Sequence, residues 1–80
     1  NQKRLINSKK FLADILIKQN KIDEARIIIR QLLEAGDASF STYNKASKIF
    51  TLLKDFDAAS SYAKKALEAK SNNNINFQNI

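Results

Sequence analysis

The stretch NKIDEARIIIRQLLEA, residues 20–35, is answered 34 residues later by KDFDAASSYAKKALEA, residues 54–69. Few letters match. Yet both run polar, polar, bulky apolar, Asp, any residue, Ala, and both close on Leu-Glu-Ala. In the first, Ala25, Ile28, Ile29, Leu32 and Leu33 recur at i, i+3, i+4, i+7 and i+8, the stripe of an amphipathic helix. In the second, Ala59, Tyr62, Ala63, Ala66 and Leu67 fall at the corresponding positions. Asp23 and Asp57 suit the helix N-termini, where a carboxylate accepts free backbone N–H groups and complements the dipole. Gly36 suits the end of the first helix, where a positive φ costs glycine least.

Outward from these stretches, each half shows a preceding helix. Phe11, Leu12, Ile15 and Leu16 form one apolar stripe; Tyr43, Ala46, Ile49, Phe50 and Leu53 form the other, with Ser39, Ser41 or Thr42 as N-cap. Short polar turns at 19–21 and 54–55 join the helices of each pair, and a bulky residue, Ile22 or Phe56, follows each turn. Aligning residues 6–39 with 40–73 needs no gap and gives six identities: Ile15/Ile49, Asp23/Asp57, Ala25/Ala59, Leu33/Leu67, Glu34/Glu68 and Ala35/Ala69. Two unrelated amphipathic helices would share a period, but not also the turn and the small Ala. The unit is helix, tight turn, helix, written twice.

Composition agrees. The 80 residues contain no proline and one glycine, which favours an all-α domain of helices joined by short turns. A chain of this size is near the limit for a self-sufficient core. The absence of cysteine and histidine excludes disulfides, thiolate or imidazole metal sites and a histidine general base. No cofactor is implied. Apolar runs, such as residues 27–29, are far too short for a transmembrane segment. The net charge is +6, and residues 1–10 supply Lys3, Arg4, Lys9 and Lys10 with no acid. Such a cluster can attract nucleic acid, acidic lipid or an acidic peptide. The opening residue is not methionine, which suggests a segment of a longer protein.

A gapless 34-residue helix–turn–helix unit with these positions resembles the tetratricopeptide repeat. The carrying residues are KIDEARIIIRQLLEA and DFDAASSYAKKALEA, with Ala25 and Ala59 where paired helices cross closely. Leu16 and Phe50 stand in the family's aromatic slot of the first helix, and Ala13 and Ser47 in its small mid-helix slot. Early in that helix, Lys9 departs from the family's usual bulky residue, which Tyr43 supplies in the second unit. Asp37 and Ser71 replace the common inter-repeat proline. The resemblance implies an α–α superhelix made of one domain, 1–80: repeat 1 at 6–39, repeat 2 at 40–73, and at 74–80 the start of a third repeat (a fifth helix) or a cap.

The resemblance also implies a function: a non-catalytic protein–protein interaction scaffold whose first helices line a concave groove for a peptide. The groove candidates are Asn7, Lys10, Asp14, Ile17 and Lys18 on one helix and Ser41, Asn44, Lys45, Lys48 and Thr51 on the next. Lys10, Lys18, Lys45 and Lys48 could pair with an acidic peptide or a C-terminal carboxylate. Family members that grip chaperone C-termini use a Lys/Asn/Arg clamp; only Lys10 fits it here, while Asp14 and Lys45 stand where asparagines belong.

Stacked units bury each other's faces, and about three are usually needed. Two therefore leave an apolar end around Leu53, Phe56, Tyr62 and Phe77, a route to a homo-oligomer. The alternative function is an RNA- or nucleic-acid-binding repeat using the basic N-terminal patch, with Phe11 or Tyr43 stacking on bases. Catalysis is not expected. Asp55 and Asp57 are close in sequence but suit a helix start, and no nucleophile has a base beside it.

Overall fold

The computed structural model describes residues 2–78, with side chains from 4 to 71. It contains four helices: α1 (Gln2–Lys18), α2 (Ile22–Glu34), α3 (Phe40–Leu52) and α4 (Phe56–Gln78). No strand occurs among the described residues. The helices form two antiparallel pairs, α1 with α2 and α3 with α4, and α3 packs against all three others.

The first three helices end in the same way. Asn20, Gly36 and Lys54 adopt positive φ, 62°, 88° and 65°. Their N–H groups donate to the carbonyls of Ile17, Leu33 and Thr51, each at 3.0 Å. The N–H groups one residue further on, from Lys21, Asp37 and Asp55, donate to Leu16, Leu32 and Phe50 at 2.8, 3.1 and 2.9 Å. This pair of reversed bonds is the Schellman closure, which satisfies carbonyls the helix leaves open. Asn20 and Lys54 lie 34 residues apart, so the within-hairpin turn repeats in the backbone as it does in the sequence.

The helix starts are less uniform. Ser39 caps α3, accepting from the Thr42 N–H at 3.4 Å. Asp55 accepts from the Ala58 N–H at 3.3 Å at the start of α4. The cap of α2 is Lys21, whose side chain makes no capping bond. Asp23 and Asp57 do sit in first turns, where their charge complements the dipole, but the bond expected of Asp57 belongs to Asp55.

The core comprises Ala13 of α1, Ala25, Ile29 and Leu32 of α2, and Ala46 and Ile49 of α3. Alanines at 13, 25 and 46 permit the close approach that the pattern implied. At the second crossing Ser47 replaces Ala13, and its hydroxyl donates to the Ala59 carbonyl at 2.9 Å. Tyr62 of α4 stacks on Phe50 (ring centroids 5.5 Å apart, planes 9°) and lies 6.2 Å from the Tyr43 ring.

Three expectations are corrected here. The α1 stripe is rotated: Phe11 is 68% exposed and Leu12 is exposed too, while Ile6, Ala13, Leu16 and Ile17 face the core. Both sets satisfy helical spacing, and only the positions of α2 and α3, the elements packed on α1, choose between them. The groove candidate Ile17 is therefore a packing residue. The separate fifth helix expected from residue 74 is not formed among the described residues, because α4 continues unbroken to Gln78. Of the proposed open end, Phe56 is exposed, whereas Leu53 and Tyr62 pack against the core. The Phe77 side chain lies outside the described residues.

Candidate protein-interaction surfaces

On α1, Asn7, Lys10, Asp14 and Lys18 recur at three- and four-residue spacing; Ser41, Asn44, Lys45, Lys48 and Thr51 do so on α3. Asp14 and Lys45 join the two stripes, with Oδ1 and Nζ 3.5 Å apart. Lys45 also donates to Ser41 Oγ at 2.9 Å. Thr51 is exposed, and its hydroxyl donates to the Ser47 carbonyl one turn back on its own helix at 2.9 Å. Asn7, Lys18, Asn44 and Lys48 are exposed, and neither Lys18 nor Lys48 makes an ion pair among the described residues.

Lys10 has a structural task. Its ammonium donates to Ser39 Oγ at 3.2 Å and lies 3.4 Å from an Asp37 carboxylate oxygen. The buried Thr42 hydroxyl donates to the same Asp37 oxygen at 2.6 Å, and Ser39 Oγ lies 3.4 Å from that hydroxyl. The loop between the hairpins is thus tied to α1 at one end and α3 at the other. Burial alone would raise the Asp37 pKa, but hydrogen bonds from Thr42 and Ser39 and the Lys10 charge outweigh it. The carboxyl consequently sits below its ordinary 3.8. This polar cluster was not read from the sequence, since its members span 33 positions and only the turn at Gly36 gathers them.

A second feature missed by the pattern is an apolar groove of about 460 Å³ between α2 and α4, floored by Phe50 and Tyr62 and rimmed by Arg26 and Arg30. The signal was present as two arginines one turn apart beside the α2 stripe. Of the basic N-terminal cluster, Lys9 is half-buried and Lys10 is held by Asp37, while the Lys3 side chain lies outside the described residues. Among the described residues no carboxylates gather in a group that could hold a metal ion, and no helix is long and apolar enough to cross a membrane.

Two antiparallel helix pairs in a 34-residue register, closed by the same turn, define the unit on which comparison with known families bears. The family model described as Tetratricopeptide repeat matches residues 11–35 and again 40–73. The chain belongs to the tetratricopeptide repeat family. Comparison with curated proteins and with solved structures finds no match. The first matched segment takes in the C-terminal half of α1 and all of α2, the second takes in α3 and most of α4, and between them lies the loop that Lys10, Ser39 and Thr42 secure. Tetratricopeptide repeats generally mediate protein–protein interaction, as a non-catalytic scaffold fold, so protein partners are the class this repeat domain implies.

Proposed function

We propose that this tetratricopeptide domain is a non-catalytic scaffold that receives an acidic peptide or segment of another protein against the face made by α1 and α3. The observation carrying this reading is the Asp14–Lys45 pair, which links the two first helices and aligns their polar stripes. Lys10 and Lys45 are committed to internal acids, so the cations offered to a partner are Lys18 and Lys48, with Asn44 and Asn7 as amide donors and acceptors. Committed lysines are not wasted on such a face. They hold the helices in register, which lowers the ordering cost of binding. The chaperone-type carboxylate clamp is not the mode, because Asp14 brings a negative charge to its centre and Lys10 faces Asp37.

The test is a titration of the ¹⁵N-labelled protein with a Glu-rich decapeptide bearing a free C-terminal carboxylate. The amides of Asn44, Lys48 and Lys18 should shift, and Lys18→Glu/Lys48→Glu should weaken binding by on the order of tenfold. Shifts absent from α1 and α3, or affinity indifferent to the double reversal, would refute the reading.

A further inference from the structure

The groove between α2 and α4 is a different surface from the α1/α3 face. α3 separates α2 from α4, which make no close approach of their own among the described residues. On α3, Lys45 and Phe50 are five positions apart, about 140° around the helix at 3.6 residues per turn. The groove's floor is the stacked pair Phe50 and Tyr62, and Ile27 and Leu33 extend the apolar lining. Its 460 Å³ falls within the range of about 300–1,000 Å³ typical of ligand clefts. Arg26 and Arg30, both exposed, stand on one wall about 6 Å apart along α2. Among the described residues no acid lines the groove and neither arginine makes an ion pair. An apolar cleft flanked by two guanidinium groups that make no ion pair among the described residues is complementary to an apolar side chain flanked by carboxylates.

We propose that this groove docks an acidic amphipathic helix of another protein. One bulky apolar side chain sits on Phe50 and Tyr62, and two carboxylates one turn apart pair with Arg26 and Arg30. A helix is the matching shape, because carboxylates at i and i+4 repeat the spacing of the arginines and a channel between two helices accepts a third. A second copy of this chain is the poorer occupant, since it carries the same net charge of +6.

Three synthetic amphipathic helices of one Leu/Phe stripe, differing only in Glu, Gln or Lys at the two flanking positions, test the proposal by NMR and fluorescence anisotropy. The Glu helix should bind and shift the resonances of Arg26, Arg30, Leu33 and Tyr62. Its affinity should fall between about 0.05 and 0.5 M salt. The Gln helix, and the Glu helix with Arg26→Ala/Arg30→Ala, should each bind on the order of tenfold more weakly. Both arginines are exposed, so the double variant should keep its circular dichroism; Arg26→Lys/Arg30→Lys, which preserves charge, should retain part of the affinity. The proposal is overturned if the Glu helix does not bind, if the Gln helix binds equally, or if the groove resonances respond to protein concentration alone. It is also overturned if a single-stranded oligonucleotide moves them and the Glu helix does not. Shifts confined to the α1/α3 face, at Asn7, Lys18, Asn44 and Lys48, would sink this proposal and leave the α1/α3 reading standing.

Discussion

The two hairpins share a pattern but not an environment. Ile29 of α2 is 2% exposed, while its counterpart Ala63 in α4 is exposed. Leu33 is half-buried, and Leu67, the same residue type at the same register position, is 66% exposed. The difference lies in the neighbour: α3 covers that side of α2, and among the described residues α4 packs only on α3. Helix ends differ likewise. Gly36 turns the chain out of α2, but at the equivalent position Lys70 is helical and α4 runs on. A repeat pattern therefore specifies which residues can be buried, and stacking decides which ones are. The strongest challenge to this contrast is paired truncation. Ile29→Ala should cost about 2–4 kcal/mol by urea denaturation, and Leu67→Ala less than about 0.5 kcal/mol. A comparable loss for Leu67→Ala would mean that α4 has a covered outer face, from self-association or another contact.

The hairpins also differ in what anchors them. The loop entering the second is held by Lys10, Asp37, Ser39 and Thr42, whereas the counterpart positions of Asp37 and Thr42 carry Ser71 and Ser8. Thr42→Val removes the donor to a nearly buried carboxylate and should cost about 1–3 kcal/mol. The acid limb offers a finer measurement. In the window between the lowered native pKa of Asp37 and 3.8, the unfolded chain binds more protons than the folded one, so stability rises with pH. The contribution of Asp37 is fully present above 3.8 and is lost as pH falls through its native pKa. Asp37→Asn should therefore be the less stable protein near neutral pH and show a shallower acid unfolding curve by circular dichroism. Equal slopes would mean that the cluster does not hold the carboxylate in solution.

What was legible follows the range of the interactions involved. Helix type, the 34-residue register and the turns at Asn20, Gly36 and Lys54 are local properties, written in period 3.6 and in the residues flanking each turn. The buried face of α1 was not legible, because Phe11/Leu12/Ile15 and Ile6/Ala13/Ile17 both obey that period and differ only in which neighbour they meet. The polar stripes of α1 and α3 follow from helical spacing alone, but the attraction of Lys10 to Asp37, 27 residues away, depends on the tertiary fold. The Arg26/Arg30 pair is visible in the sequence, but the groove it flanks depends on the spacing of α2 and α4 on either side of α3, which is set by packing.

The smallest effects probe the turns, where the hairpins are most alike. Each uses a non-glycine residue at positive φ, Asn20 in one and Lys54 in the other. Asparagine tolerates the left-handed region, whereas lysine meets the full clash of Cβ with its own backbone, about 1–2 kcal/mol. Glycine removes that strain but adds freedom to the unfolded chain, and the two partly cancel. Lys54→Gly should then raise stability by about 0.5–1 kcal/mol, while Asn20→Gly should change it by only a few tenths. Chemical denaturation of the two variants side by side reads this difference. Equal gains would show that the turns are strained alike and that the choice of Asn or Lys is neutral. A loss at Lys54 would instead reveal that its side chain contributes a contact larger than the strain it bears.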